Sequence, residues 1–188
     1  MADRKRVLGI VGSPRRGGNT EILVDEILAG AAEAGAQVEK VILEEIEIGP
    51  CKACYSCRET GRCVIEDDLH GVIEKMNVCG VWVLGTPVYW WGPSAQMKAF
   101  VDRWFSRAVG EPRQETFGGR RLIIAAPMGD TDLKTGRHVK GMFEDACAHV
   151  KAELFRTILA PGAYNKGDVR KNTEVMQEAR KIGAAATA

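Results

Sequence analysis

Short apolar runs alternate along the chain with segments that repeat apolar residues every three or four positions. The apolar runs predict β-strands at residues 7–11, 38–43, 81–84, 122–126 and 154–159. The helical repeat predicts helices at residues 20–34, 67–76, 94–106, 137–149 and 168–182. Because strand and helix alternate throughout, we expect an α/β protein with a parallel sheet and helices on both faces.

Two segments are too long to be plain connections between these elements. They are residues 44–66 and 107–119. Long ordered loops in compact domains often carry function, so we expect function in one or both. The chain has no linker rich in proline and serine and no internal repeat, and we therefore predict one domain over residues 1–188, with a cysteine-rich insertion loop at 44–66.

Composition narrows the class of protein. The chain has 188 residues with 45% hydrophobic residues, which is enough for one sizeable core. Basic and acidic residues number 26 and 25, so the charge gives no indication of a nucleic-acid partner. No apolar run is long enough for a membrane span, and the first residues lack the core of a signal peptide. We expect a cytoplasmic protein with no membrane contact, in which clustered cysteines indicate metal or redox chemistry rather than disulfides.

The loop after the first predicted strand reads GSPRRGGNT, residues 12–20. Its glycines, among them Gly18, allow backbone amides to approach an anion, and the predicted helix that follows adds the positive end of its dipole. Ser13, Asn19 and Thr20 offer side-chain donors, and Arg15 adds charge. The pattern is neither a Walker loop nor a dinucleotide fingerprint. It favours a site for a terminal phosphate, although a glycine turn before a capped helix would look similar.

Two further loops follow predicted strands at the same edge of the sheet. GTPVYWWGP, residues 85–93, holds adjacent aromatic residues between two prolines, and APMGDTD, residues 126–132, is polar. Adjacent aromatic side chains cannot all face the core, and a flat heteroaromatic ligand needs such stacking area. Core packing or a dimer contact is the alternative for the tryptophans. A phosphate loop beside two loops for a planar ring fits a mononucleotide such as FMN.

GSPRRGGNT and GTPVYWWGPSAQMKAFVDRW together resemble the flavodoxin-like NAD(P)H-dependent FMN reductase family, over nearly the whole chain. The resemblance implies a doubly wound, three-layer α/β/α fold with five parallel strands in the order 2-1-3-4-5. It implies that the FMN phosphate is held by Ser13, Arg15, Asn19 and Thr20, with Gly18 in the same loop. It implies that the isoalloxazine ring is held by Pro87, Val88, Tyr89, Trp90, Gly129 and Asp130. The matching Lys98, Asp102 and Arg103 are interpreted as structural or interface residues, and a homodimer or homotetramer is expected.

Four of the six cysteines lie within thirteen residues. Cys51, Cys54, Cys57 and Cys63 have the spacing C-x2-C-x2-C-x5-C, which resembles the ferredoxin-type run around a cubane cluster. Structural zinc sites use two separated pairs of ligands more often, and unligated thiols in a packed loop are a further alternative. Within the family, the spacing resembles the iron–sulfur flavoprotein branch, which implies a [4Fe–4S] cluster.

These observations predict a flavin-dependent oxidoreductase that carries electrons between a reduced donor, NAD(P)H or a ferredoxin, and a small acceptor. A cluster-free FMN or quinone reductase and a non-catalytic flavodoxin-like carrier are the alternatives. The three histidines have no partner at a spacing typical of catalysis. Because the flavin itself does the chemistry, we predict no catalytic side chain.

Overall fold

Five parallel strands form the centre of the computed structural model, which describes residues 3–109 and 117–188. The strands are β1 (Asp3–Val11), β2 (Gln37–Ile42), β3 (Cys79–Gly85), β4 (Arg121–Pro127) and β5 (Glu153–Ala160). Their order across the sheet is β2-β1-β3-β4-β5, and every pair is parallel. The predicted strands, the parallel sheet and the order 2-1-3-4-5 are therefore confirmed.

The described residues also form helices and shorter 3-10 turns. The helices are α1 (Asn19–Glu33), α2 (Cys57–Thr60), α3 (Leu69–Val78), α4 (Ala95–Asp102), α5 (Phe105–Ala108), α6 (Arg137–Val150) and α7 (Thr173–Ala186). The 3-10 turns are Leu43–Glu45, Leu133–Gly136 and Asp168–Lys171. No helix among residues 3–109 and 117–188 is long and apolar enough to cross a membrane.

Alternation along the strands produces one core on each face of the sheet. In β3, Trp82 and Leu84 belong to one buried cluster, and Val81 and Val83 belong to the other. Helices α3, α4 and α6 supply the first cluster, whereas α1 and α7 supply the second. Burial on both faces explains why β3 is apolar throughout rather than alternating. The three-layer prediction is confirmed.

Two glycines let α1 and α7 approach each other closely on the second face. A Cβ added at Gly30 would lie 1.9 Å from the Arg180 carbonyl oxygen, and one at Gly183 would lie 1.9 Å from that of Ile27. Backbone therefore packs on backbone at both points, which fixes α7 across α1. This contact holds the end of the chain beside the start of the sheet.

Two predicted helices are interrupted. The helix predicted at 94–106 divides between α4 and α5, because Trp104 donates to the Val101 carbonyl and tightens the turn. That turn leaves both Arg103 and Trp104 buried, while Phe105 is exposed. The helix predicted at 168–182 also divides, because Asn172 leaves the helical conformation and its side chain caps α7 by accepting from the Val175 amide.

The long segment predicted at 44–66 contains little regular structure. It begins within the 3-10 turn Leu43–Glu45 and holds the single-turn helix α2. Part of the other long segment, residues 110–116 of 107–119, lies outside the described residues. The segments in which the structure can be searched for a functional site are therefore residues 44–66 and the shorter loops at the carboxyl edge of the sheet.

Candidate functional site

Loops that follow β1, β3, β4 and β5 meet around a cavity of about 320 Å³ at the carboxyl edge of the sheet. Open parallel sheets bind ligands at this edge, where the strand order reverses. Nine of the eleven predicted flavin-site residues line the cavity: Ser13, Arg15, Asn19, Thr20, Pro87, Val88, Tyr89, Gly129 and Asp130. Gly18 and Trp90 are not among its lining residues. Pro127, Met128, Ala163 and Tyr164 line it as well and were not predicted.

Ser94 joins the loop after β1 to the loop after β3. Its hydroxyl donates to the Gly12 carbonyl oxygen and accepts from the Met97 amide, which caps α4. The Gly12 amide in turn donates to the Gly85 carbonyl oxygen at 2.7 Å. A Cβ at Gly12 would lie 2.8 Å from that of Met97, so glycine is required for this close approach. The two loops are thereby held in a fixed relation on one side of the cavity.

The start of α1 presents hydrogen-bond donors to the cavity. The amides of Asn19 and Thr20 belong to its first turn, whose N–H groups have no partner inside the helix. The Ser13 hydroxyl accepts from the Arg15 amide at 3.2 Å, which leaves its own O–H to donate. Ser13 and Thr20 are both buried. This end of the cavity therefore offers backbone and hydroxyl donors at the positive end of a helix dipole.

The Asn19 side chain holds the loop after β5. Its amide nitrogen donates to the carbonyl oxygens of Ala163 and Asn165, at 2.9 and 2.8 Å. Its oxygen accepts from the Val169 amide at 3.2 Å. The sequence suggested this side chain as a donor to phosphate, whereas the structure commits it to residues 163–169. Asn19 shapes the cavity through that loop, and its backbone amide is the group left for a ligand.

The start of α1 carries an acidic side chain, Glu21, whose charge is compensated by its neighbours. The Gly17 amide and the Lys40 ammonium both hydrogen-bond to the Glu21 carboxylate. Burial opposes ionisation of Glu21, but these bonds and nearby Arg16 outweigh it and hold its pKa below the ordinary value. On the other side, a Cβ at Gly17 would lie 3.2 Å from the Lys166 ammonium. Lys166 is thus a cation beside the loop that the sequence did not indicate, because it follows β5.

The tryptophans of the GTPVYWWGP segment form a strained turn. Tyr89 and Gly92 exchange backbone hydrogen bonds of 2.9 Å, so Trp90 and Trp91 are the two central residues. Their φ angles are 48° and 62°, the left-handed region that favours glycine or asparagine. Trp90 is 90% exposed, whereas Tyr89 contributes to the cavity lining. The prediction that Trp90 contacts the flavin ring is therefore not supported by its position.

The loop after β4 is organised by its own carboxylate. Asp130 accepts from the Thr135 hydroxyl at 2.7 Å and from the Asp132 amide at 3.0 Å. The hydrogen bond from Thr135, followed by that from Asp132, holds the pKa of Asp130 below its ordinary value. A Cβ at Gly129 would lie 2.9 Å from the Tyr164 ring, so glycine lets that ring close over the loop. Gly129 and Asp130 both line the cavity.

The four clustered cysteines line one small, separate cavity of about 20 Å³. Cys51 and Cys54 are exposed, Cys63 is half-buried and Cys57 is buried. Among residues 3–109 and 117–188, no three histidine, cysteine or acidic side chains are placed to hold a metal ion. The topology therefore gathers the thiols around one space, while the side chains are not arranged as a closed metal site.

Backbone strain marks the same loop. Ala53 and Tyr55 have φ angles of 51° and 60°, in the left-handed region. Strain of this kind costs about 1–3 kcal/mol per residue and persists where the surroundings require it.

Cys79 and Cys147 are buried in the core, and burial raises the pKa of Cys147 to about 11, as expected for an inert thiol.

A buried ion pair lies at the base of the cysteine loop. Arg103 donates to both carboxylate oxygens of Asp67, at 2.7 and 3.1 Å, and both side chains are buried. Burial opposes ionisation of Asp67, but the hydrogen bonds from Arg103 and the Gly49 amide outweigh it and hold its pKa below the ordinary value. Arg103 also lines the cavity of the four cysteines. No sequence pattern indicates this pairing, since the two residues are thirty-six positions apart and belong to different segments.

Comparison with known proteins gives one family match over most of the chain. The profile of the family described as NADPH-dependent FMN reductase matches residues 5–144. A Methanocaldococcus jannaschii protein named iron–sulfur flavoprotein is 40% identical over 124 residues, 66% of this chain and 64% of that protein. A Methanosarcina thermophila protein of the same name is 40% identical over 98 residues, 52% of this chain and 51% of that protein. The matches thus span between half and two thirds of the length of these curated relatives.

Solved structures match over nearly the whole chain. An NAD(P)H:quinone oxidoreductase from Methanothermobacter marburgensis superposes with a TM-score of 0.76 at 18% sequence identity. The match covers 95% of this chain and 94% of that one. At this identity the likeness establishes a shared fold, which is the flavodoxin-like arrangement that the strand order also gives.

Proposed function

Because the chain belongs to the NADPH-dependent FMN reductase family, we propose that it is an FMN-dependent oxidoreductase that transfers electrons between a reduced donor and a small acceptor. The observation that carries the proposal is the 320 Å³ cavity at the carboxyl edge, where one end offers anion donors and the other offers aromatic and backbone surface. We propose a single FMN-binding domain, with residues 44–66 as its cysteine-rich insertion.

The residues present fit the phosphate end of FMN. Ser13 and Thr20 would donate from buried hydroxyls, and the first-turn amides of α1 would donate from the backbone. Arg15 lines the cavity and is anchored by its bond to the Tyr164 carbonyl oxygen, so its charge is held nearby. Hydrogen bonds to a charged acceptor are roughly twice as strong as neutral ones. This favours FMN over a flavin without phosphate.

The residues at the other end fit the ring. Pro87, Val88 and Tyr89 supply apolar and aromatic contact, and the segment 129–130 supplies backbone groups for the ring edge. FMN, once bound, supplies hydride and single-electron transfer. The protein's part would be to bind and orient it, and we propose that no side chain acts as a catalytic acid or base.

We propose further that Cys51, Cys54, Cys57 and Cys63 hold a [4Fe–4S] cluster. Four thiols line one cavity, which is the number of ligands that the four iron corners of a cubane need, and two relatives at 40% identity carry the name iron–sulfur flavoprotein. A cluster, once bound, supplies one-electron transfer. NAD(P)H as the donor and a ferredoxin as a one-electron partner are proposals that follow from this pairing of cofactors.

A cluster-free FMN or quinone reductase is the second candidate. The observation that favours it is that the described thiols are not arranged to hold a metal ion. A flavodoxin-like carrier without turnover is distinguished from both by its inability to be reduced by NAD(P)H.

We also propose a homodimer or homotetramer, supported by the exposed Trp90, and a cytoplasmic location, supported by six free thiols.

One sample tests the function. Protein purified without oxygen is analysed for flavin, iron and sulfide, and is then mixed with NADH or NADPH while the flavin absorbance is followed. Bound FMN that is bleached by one of the two nucleotides supports the oxidoreductase. Absence of flavin after incubation with FMN contradicts it, and FMN with no iron promotes the cluster-free reductase.

A further inference from the structure

Arg103 ties together the two ends of the cysteine loop. One guanidinium nitrogen donates to the Gly49 carbonyl oxygen at 2.8 Å, two residues before Cys51. The other donates to the Ile65 carbonyl oxygen at 3.3 Å, two residues after Cys63. The same two nitrogens hold the Asp67 carboxylate. A single buried side chain therefore bonds to residues on both sides of the four thiols.

Asp67 repeats this connection from the carboxylate side. It accepts from the Gly49 amide at 2.9 Å and from the Leu69 amide at 3.2 Å. The ends are joined once more by backbone, since the Asp68 amide donates to the Glu47 carbonyl oxygen at 3.0 Å. Closing a loop removes chain entropy, and here the closure is supplied by a bidentate charged pair rather than by regular structure.

Arg103 also has hydrogen-bonding capacity left over beside the thiols. Its Nε is buried and makes no hydrogen bond of good geometry within the part of the chain that the structure describes, and Cys63 is the thiol that interacts with the guanidinium. The side chain lines the cysteine cavity together with all four thiols. A buried donor is stabilised when an acceptor lies within its reach, and the sulfur atoms of the four cysteines line the same cavity.

We propose that Arg103 is a positioning residue for the cysteine loop: it ties the loop's ends together with Asp67, and its spare N–H serves the sulfur atoms gathered in the cavity. Hydrogen bonds to sulfur are among the features that set the reduction potential of iron–sulfur clusters. The second half of this proposal rests on the proposed cluster, whereas the first half concerns the chain alone.

The first test uses the full chain with FMN but without iron. Limited trypsin digestion is followed by mass spectrometry at Lys52, Arg58 and Arg62, which lie inside the loop. Arg103→Lys keeps a charge but cannot form the bidentate pair. We expect cleavage at these three sites to be at least about tenfold faster than in the unaltered chain, because local opening precedes cleavage. Cleavage at the unaltered rate would overturn the first half.

Two further variants make the result specific. Asp67→Asn changes the other partner of the pair with little change of shape, and it is expected to accelerate the same cleavages; it decides the matter if the lysine variant does not fold. Arg121→Lys is the matched control, since Arg121 pairs with Glu153 at the start of β4 and β5. In Arg121→Lys, the cysteine loop is expected to be cut at the same rate as in the unaltered chain. Acceleration equal to that in Arg103→Lys would overturn the proposal.

The second test uses chains reconstituted with iron and sulfide without oxygen. Arg103→Lys is expected to retain less iron and to show a more negative cluster potential in a redox titration followed by electron paramagnetic resonance. A role limited to closing the loop would lower the iron content and leave the potential unchanged, and that outcome would overturn the second half. An unaltered chain that binds no iron would remove both the cluster and this second half, while the digestion would still decide the first.

Discussion

Asn19 and Val169 are 150 residues apart in the sequence, and the Val169 amide donates to Asn19 Oδ1 at 3.2 Å. The other end of the Asn19 side chain donates to Ala163 and Asn165. The first residue of α1 thus holds the loop that brings Tyr164 to the cavity at the carboxyl edge of the sheet. An asparagine that looks like a phosphate ligand in the sequence is, in the structure, the anchor of a loop that the sequence left unassigned.

Asn19→Ala is therefore expected to destabilise the fold as well as the site. It removes three hydrogen bonds of a buried amide, each of which contributes about 0.5–1.5 kcal/mol, so the free energy of unfolding should fall by about 2–4 kcal/mol. Asn172→Ala is the control, since that side chain makes the single cap of α7 and should cost about 1 kcal/mol. Urea unfolding measures both, and equal losses would contradict the anchoring role.

Thr20→Val tests the phosphate end of the cavity without changing the shape of the side chain. The Thr20 hydroxyl is buried and lines the cavity, so its loss should weaken FMN binding by about 1–2 kcal/mol. Riboflavin, which lacks the phosphate, should bind weakly and equally to both proteins. Titration by flavin fluorescence measures the four affinities. A parallel loss for riboflavin would place the Thr20 hydroxyl away from the phosphate.

The adjacent aromatic residues Tyr89 and Trp90 should separate in their effects. Tyr89→Ala is expected to weaken FMN binding, because Tyr89 lines the cavity. Trp90→Gly should leave FMN affinity unchanged and raise the free energy of unfolding by about 1 kcal/mol, because glycine relieves the left-handed backbone. Affinity and urea unfolding are measured on both variants. Loss of FMN affinity in Trp90→Gly would restore the contact with the ring that the sequence suggested.

The fold was predictable because each short apolar run indicated a buried strand of a parallel sheet. A continuous apolar run such as that around Trp82 and Leu84 indicates a strand covered on both faces, and β3 is such a strand. The predictions missed the two helix interruptions. The break after Asp102 depends on the burial of Arg103 against the Asp67 carboxylate, thirty-six residues away. The local periodicity of apolar residues carries no information about such a distant partner.

The sequence predicted a site at this edge of the sheet through features of the backbone. Glycines and a helix start within GSPRRGGNT favour an anion loop, since the donors are backbone groups. What the sequence could not supply was the pairing of side chains across loops. Tyr164 and Lys166 come to the site because Asn19, Arg15 and backbone bonds to the loop after β4 hold the loop after β5, and they have no motif of their own.

The Asp67 carboxylate should make stability depend on acid pH. Its pKa in the folded chain lies below the ordinary 3.8, so its contribution is fully present above about pH 5 and is lost as the pH falls through the folded pKa. Asp67→Asn should lower the free energy of unfolding by about 3–5 kcal/mol at pH 7, because it leaves Arg103 buried without its anion. The difference between the two proteins should shrink below pH 4. Urea unfolding from pH 7 to 3 measures this, and a constant difference would contradict the assignment.

Cys54→Ser is the sharpest test of the thiol loop. Each iron corner of a cubane needs a ligand, so loss of one thiolate should abolish or degrade the cluster, from roughly four irons per chain. Cys79→Ala and Cys147→Ala are matched controls, because both thiols are buried in the core and should not affect iron content. FMN content should be the same in the unaltered chain and the three variants, since the proposed flavin cavity is lined by other loops. Iron, sulfide and flavin are measured after reconstitution without oxygen. If the unaltered chain holds less than about one iron, or if Cys147→Ala loses as much as Cys54→Ser, the four thiols are not cluster ligands and the cluster-free reductase is the better function.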